Sequence, residues 1–131
     1  MELSINWLAV LLAAISAFVI GGLWYSLLFA KPWQRAAGVT DEQLKTGMVR
    51  IFVGSFLLAV VMAASLAAFI GAGGAAFGLF AGLAAGLTWV AAAFGINYLF
   101  ERRSIRLFLI NASYNVVSFT VMGLIIGAMQ A

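Results

Sequence analysis

Four long apolar runs without a charge in their interiors dominate this chain, and they leave little room for any other architecture. Crossing the roughly 30 Å hydrocarbon layer of a bilayer takes about 20 helical residues, because only a helix or a closed barrel satisfies its own backbone there. The runs fall near residues 5–29, 50–70, 75–100 and 107–129 of 131. Composition agrees: 66% of the residues are hydrophobic and 8% charged, where a soluble domain is nearer half and a quarter. A water-soluble fold of this length could not hide that much apolar surface. The expected fold class is an all-α integral membrane protein, one four-transmembrane-helix bundle over residues 1–131. The first run is read as a retained span rather than a signal peptide, since it is flanked by Glu2 instead of a cation and its apolar core is too long.

The charges orient the bundle. Lys31, Arg35, Lys45 and Arg50 lie in or beside the first connection, and Arg102, Arg103 and Arg106 in the third, so all seven cations share one side. The positive-inside rule then places both termini outside, and the expected location is the bacterial inner (plasma) membrane, crossed several times. The link between spans two and three is the uncharged turn Gly71-Ala72-Gly73-Gly74. The first connection contains Pro32 just beyond span one and a helix start at Thr40, with Gln43 three residues later and Asp41 and Glu42 between them. That is a capping box, and it predicts that helix two begins in the cytoplasm near Asp41 and runs unbroken to Ile70.

Within lipid, small residues rather than leucines bring helices together. Span three carries Gly74, Gly78, Gly82 and Gly86 at four-residue spacing, and these are the expected packing glycines. Spans one and two carry looser versions, Ala9, Ala13, Ala17, Gly21 and Ser55, Ala59, Ala63, Ala67, Gly71, and span four contributes Gly123 and Gly127. Trp7 and Trp33 fit interfacial anchors at opposite ends. Trp24 and Tyr25 lie further inside span one, where bundle packing fits equally well.

No Asp, Glu, Lys or Arg lies deep in any span, so the charged group that ion- and proton-coupled pumps generally use is missing. What remains is amide and hydroxyl chemistry. Asn111, Tyr114, Asn115 and Ser118 follow i, i+3, i+4, i+7 spacing and share a face of span four, while Ala112, Val116, Gly123 and Gly127 share another. Asn97 lies at helical spacing from Gly86, Trp89 and Ala93 and is expected to face an interface. These groups could line a polar cavity for a small solute; the plainer expectation is hydrogen bonding between helices, each bond contributing about 0.6–2 kcal/mol. Lys31, Arg35, Arg102, Arg103 and Arg106 are expected to meet lipid headgroups, at about 1 kcal/mol per cation.

The chain has neither cysteine nor histidine, which removes thiolate nucleophiles, thiolate or imidazole metal sites and the His-based triads. Seven cations in so apolar a chain cannot track a phosphate backbone, so no nucleic acid is expected. No nucleophile–base or acid-pair spacing points to an enzyme, and no cofactor or metal is implied.

The blocks Asn6-Trp7, Gly22-Leu23-Trp24-Tyr25-Ser26 with Phe29, Lys31 and Trp33, and Phe100-Glu101-Arg102 through Leu107-Phe108-Leu109-Ile110-Asn111-Ala112, Tyr114, Met122 and Gly123 resemble a bacterial family of small membrane proteins known as domain of unknown function 1761. Leu27 stands where that family's pattern has proline, and Ala30 where it has glycine. The resemblance implies four spans and a bacterial membrane, and no activity. It draws Trp24, Tyr25, Ser26, Asn111 and Tyr114 together as an expected inner-leaflet cluster, either packed or forming a shallow headgroup site. A faint echo links the two hairpins: Gly22 to Tyr25 and Gly95 to Tyr98 both read Gly-x-x-Tyr.

Four short spans rich in small residues are expected to enclose little space alone, which favours a homo-oligomer. The leading expectation is a non-enzymatic membrane protein acting through helix association and binding of membrane lipids or a partner. The alternative is a channel or transporter for a small uncharged solute at a helix or subunit interface. Neither names a small-molecule ligand.

Overall fold

The computed structural model describes residues 5–131, so Glu2 lies outside the described residues. Four helices are long and apolar enough to cross a membrane: α1 (Trp7–Leu28), α4 (Met48–Ile70), α5 (Ala75–Glu101) and α6 (Ile105–Gln130). Between α1 and α4 lie two short helices, α2 (Ala30–Ala37) and α3 (Asp41–Leu44). The described residues hold no strand. The protein is a multi-pass, four-helix membrane bundle, with span limits within two residues of the apolar runs. The alternating direction of the spans gathers all seven cations at one end, called here the cationic end.

Side chains close the exposed helix starts. Asn6 accepts from the Ala9 N–H at 3.1 Å, and Ser104 from the Leu107 N–H at 3.2 Å, each satisfying a donor that the first turn leaves free. At Thr40 both halves of the capping box form: Thr40 Oγ1 accepts from Gln43 N, and Gln43 Oε1 accepts from Thr40 N. The helix it starts, however, ends after one turn. Helix two does not run unbroken from Asp41 to Ile70, because Gly47 adopts φ +68° and breaks the chain direction before Met48. That left-handed conformation suits glycine, which lacks a Cβ to clash. The capping signal was genuine, but it started a separate surface turn.

The tightest contact is between α5 and α6. Gly78 meets Gly123 and Gly127 backbone to backbone, Gly82 meets Phe119 and Thr120, and Gly86 meets Val116 and Phe119. A Cβ on Gly78 would come within 2.9 Å of Gly127 Cα, and one on Gly86 within 3.0 Å of Val116 Cα. Gly74 belongs to this seam in a different way from the other three. It is the N-cap residue rather than a helical one, and its carbonyl oxygen lies against Gly127.

On its other side α6 packs against α1 and α4. Ala9, Val10, Ala13, Ala14 and Ala17 of α1 and Ala59, Ala63, Leu66, Ala67 and Ile70 of α4 surround Phe119, Met122 and Ile126. The end opposite the cations is closed by an amide clasp. Asn6 N–H donates to Gln130 Oε1 at 2.9 Å, and Gln130 Nε2 donates to the Ala67 and Gly71 carbonyls at 3.1 and 2.9 Å.

Two stretches widen into π-type turns, Leu23–Leu28 in α1 and Ala85–Val90 in α5. The second falls where α5 leaves α4. The contacts of α5 with α4 fall in its stretch before Ala85; from there on its principal contacts are with α6. Thr88 Oγ1 donates to the Ala84 carbonyl at 2.6 Å beside this departure.

Gly82→Ala is expected to lower stability in mild detergent by about 1–3 kcal/mol, because the added methyl meets backbone that cannot yield. Gly54→Ala, where nothing lies within 4 Å of the new Cβ, should leave melting unchanged or slightly raised. Equal behaviour of the two variants would mean that the α5–α6 seam does not limit stability.

Candidate functional site

The last turns of α1 carry Trp24 and Tyr25 inside the first π-type segment, which Phe29 N–H closes by donating to the Trp24 carbonyl at 2.8 Å. Such widened turns recur at functional sites because they re-aim side chains. Both residues reach α6 from here. Trp24 Nε1 donates to the Ile110 carbonyl at 3.1 Å and to Ser113 Oγ at 3.3 Å, and its ring lies 5.5 Å from that of Phe29.

Asn111 is the hub. Tyr25 Oη donates to Asn111 Oδ1 at 2.7 Å, and Asn111 Nδ2 donates to Tyr98 Oη at 2.7 Å. One amide therefore joins α1, α5 and α6. Tyr114 Oη donates to the Ala17 carbonyl at 2.9 Å, and its ring sits edge-on to Tyr25, with centroids 5.2 Å apart. Trp33 of α2 closes on Tyr25 from the cationic end at 5.5 Å. Trp24, Tyr25, Asn111 and Tyr114 thus meet as the sequence predicted. Ser26 does not join them; it is exposed on the far side of α1.

Above this cluster α4 and α5 stand apart, with α6 as the floor between them. The gap is a crevice with two chambers. The inner, of about 470 Å³, is lined by Tyr25 and Trp33 near the cationic end, Ser55 and Ala59 of α4, Phe94 of α5, and Asn111, Asn115 and Ser118 of α6, among others. The outer, of about 490 Å³, is bordered by Leu66, Phe69, Ala81, Ala85, Trp89 and other mostly apolar residues. Phe119 lines both. Each volume is within the range of small-molecule sites. Both hollows are open at the side rather than enclosed; they form where α4 and α5 separate and leave room that close helix contacts elsewhere do not.

The predicted polar face of α6 lines the inner chamber. Ser118 is buried, and Asn115 Nδ2 donates back to the Asn111 carbonyl at 2.8 Å. Among the described residues, Asn115 Oδ1 and the Ser55 hydroxyl take no hydrogen bond, and both border the chamber. In the outer chamber, Ser65 and Thr88 are spent on the Met62 and Ala84 carbonyls of their own helices.

Asn97 does not face an interface within the chain. It is exposed on the outer side of α5, because the π-type turn at Ala85–Val90 sets the helix back by about one residue per widened turn. Tyr98 takes the inward place instead. The five cations predicted to meet headgroups, Lys31, Arg35, Arg102, Arg103 and Arg106, are all exposed at the cationic end. Arg103 pairs with Glu101 at 3.5 Å, an exposed contact of small energetic weight.

A family model described as "Protein of unknown function (DUF1761)" matches residues 8–127. The chain belongs to that family. No curated protein and no solved structure matches it. The matched stretch contains the Asn111 hub and every residue named above for the two chambers, so the site lies within the family domain. Tyr98 and Ser113 were not singled out from the sequence. For Tyr98 a signal existed: the two Gly-x-x-Tyr segments end in the two tyrosines that converge on Asn111.

Asn111→Leu should lower melting stability by about 1–2 kcal/mol, since it leaves two tyrosine hydroxyls without their shared amide. Tyr25→Phe, which removes one bond and keeps the ring, should cost about 0.6 kcal/mol. Thermal denaturation in detergent reads both, and a Tyr25→Phe loss as large as that of Asn111→Leu would contradict a hub at Asn111.

Proposed function

We propose that this protein is a non-catalytic component of the bacterial inner membrane that holds an amphiphilic molecule in the crevice between α4 and α5. The observation that carries this reading is the polarity of the crevice. One end offers amide and hydroxyl groups, the other is apolar, and the gap between the helices opens sideways toward lipid. An amphiphile diffusing in the bilayer could enter through that gap without leaving the membrane. A solute channel within one chain is less well supported, because Val10, Ala63, Met122 and Ile126 are 2% exposed or less and fill the bundle toward the other end.

Association with a second copy through the outer side of α5 belongs to the same reading. Asn97 presents an amide there near Ile96 and Phe100, which are 59% and 79% exposed. An amide is both donor and acceptor, so two copies related by a two-fold axis could pair Asn97 with Asn97.

Native mass spectrometry from mild detergent tests both parts. The wild-type protein is expected as an oligomer with retained lipid. Ser55→Phe, which fills the inner chamber from an exposed position, should lose the lipid and keep the subunit number; Asn97→Leu should do the reverse. A monomer without lipid in every sample would sink the reading.

Orientation follows from the cations, which favour a cytoplasmic position for the end that carries them. The chain has no cysteine, so single cysteines report cleanly. Ala131→Cys should react with a membrane-impermeant maleimide in intact spheroplasts, and Ser104→Cys only after lysis. The opposite pattern would invert the bundle.

A further inference from the structure

We infer that the crevice selects an amphiphile whose head is uncharged and carries a hydroxyl group, such as a diacylglycerol or a long-chain alcohol, over an anionic phospholipid. The inference rests on the crevice reading above and adds the chemical class of its occupant.

Charge decides the first half. The side chains with N–H or O–H groups that border the inner chamber are Tyr25, Trp33, Ser55, Asn111, Tyr114, Asn115 and Ser118, none of them charged, and no Lys, Arg, Asp or Glu borders it. The two cations of α2 are turned elsewhere. Trp33 faces the crevice from α2, whereas Lys31 and Arg35, two positions to either side and so on the opposite face of the helix, border a separate hollow with Gln34, Val39 and Asp41. There Gln34 Nε2 donates to Asp41 Oδ1 at 2.7 Å. Asn115 lies nine residues along α6 from Arg106, about 14 Å at 1.5 Å per residue, close to half the hydrocarbon thickness. A phosphate drawn to that depth would lose its hydration with no cation to meet it, which is strongly unfavourable. A neutral head pays only for hydrogen bonds that it can replace.

Hydrogen-bonding capacity decides the second half. Asn115 uses one Nδ2 proton on the Asn111 carbonyl, and its Oδ1, which can only accept, has no partner among the described residues. A hydroxyl head can donate to this oxygen and still accept from Ser55 or the Trp33 indole N–H, whereas a quinone or ester carbonyl can only accept and would leave Oδ1 without a partner. The Ser55 hydroxyl across the chamber can donate to the same head or accept from it. The tail needs no polar partner. Past Phe119 it meets the outer chamber, whose hydroxyls on Ser65 and Thr88 are already bonded to their own helices.

The test is a competition on the full-length protein in mild detergent, with dioleoylglycerol, a long-chain benzoquinone and dioleoylphosphatidylglycerol at equal concentration, read as bound mass by native mass spectrometry. The diacylglycerol should be retained about tenfold more than either competitor. Ser55→Ala and Asn115→Leu should each cut its retention by about three- to tenfold, the loss of one hydrogen bond, with phosphatidylglycerol retention unchanged. Ser55 is exposed, so its variant remains informative even where Asn115→Leu folds poorly. Equal or greater retention of phosphatidylglycerol or the quinone, blocked by Ser55→Phe, would overturn the neutral hydroxyl head and leave the crevice reading standing. Retention of all three indifferent to Ser55→Phe would overturn both.

Discussion

Backbone contact between α5 and α6 is the constraint on which the rest of the bundle depends. In lipid, apolar side chains gain little by leaving one hydrocarbon for another, so helices are held by close van der Waals approach and by hydrogen bonds. Gly78, Gly82 and Gly86 supply that approach to Phe119, Gly123 and Gly127. A helix pressed so closely to one neighbour cannot also lie along another that diverges from it. Beyond Ala84, α5 follows α6, and α4 keeps to α1 and α6. The crevice is the geometric remainder of this choice, floored by the same helix that carries the glycine seam, with Phe119 touching both.

The consequence for α6 is a division of labour around its circumference. Gly123 and Gly127 face α5, Met122 and Ile126 fill the core with α1 and α4, and Asn111, Asn115 and Ser118 turn to the crevice. Little of α6 is left for lipid, and its span is the most buried of the four, at 39% of its most apolar window against 28% or less elsewhere. That explains why the least hydrophobic span can still cross a membrane: its amides and hydroxyls are bonded inside the bundle or face the crevice rather than the surrounding tails.

Much of this was legible in the sequence because it depends on local periodicity. Four uncharged runs fix the spans, a four-residue glycine repeat marks the α5–α6 seam, and i, i+3, i+4, i+7 spacing identifies the polar face of α6. What escaped depends on departures from that periodicity. Gly47 breaks a helix that its flanking residues would otherwise continue. The π-type turn at Ala85–Val90 shifts the register, so that extrapolation from Gly86 selects Asn97 where Tyr98 points inward. No composition rule signals such a turn. The crevice escaped for a different reason: it arises where two helices separate, and a sequence records which residues attract more readily than which segments part.

Asn111 shows how the hub and the crevice are linked. Its amide has two functional atoms, and Tyr25 and Tyr98 occupy both. The hub therefore holds α1 and α5 to α6 at the level where the crevice begins, with one lone pair on Oδ1 and one proton on Nδ2 left over. One turn deeper, Asn115 is bonded only through Nδ2, to the carbonyl of Asn111 itself. The same residue type thus plays two parts on one helix face: the first amide fastens the walls, and the second keeps an acceptor open between them. A span that needed asparagines only as fasteners would have had no reason to turn the second toward a gap with no opposing side chain bonded to it. The unspent oxygen is the group that the proposed occupant would meet.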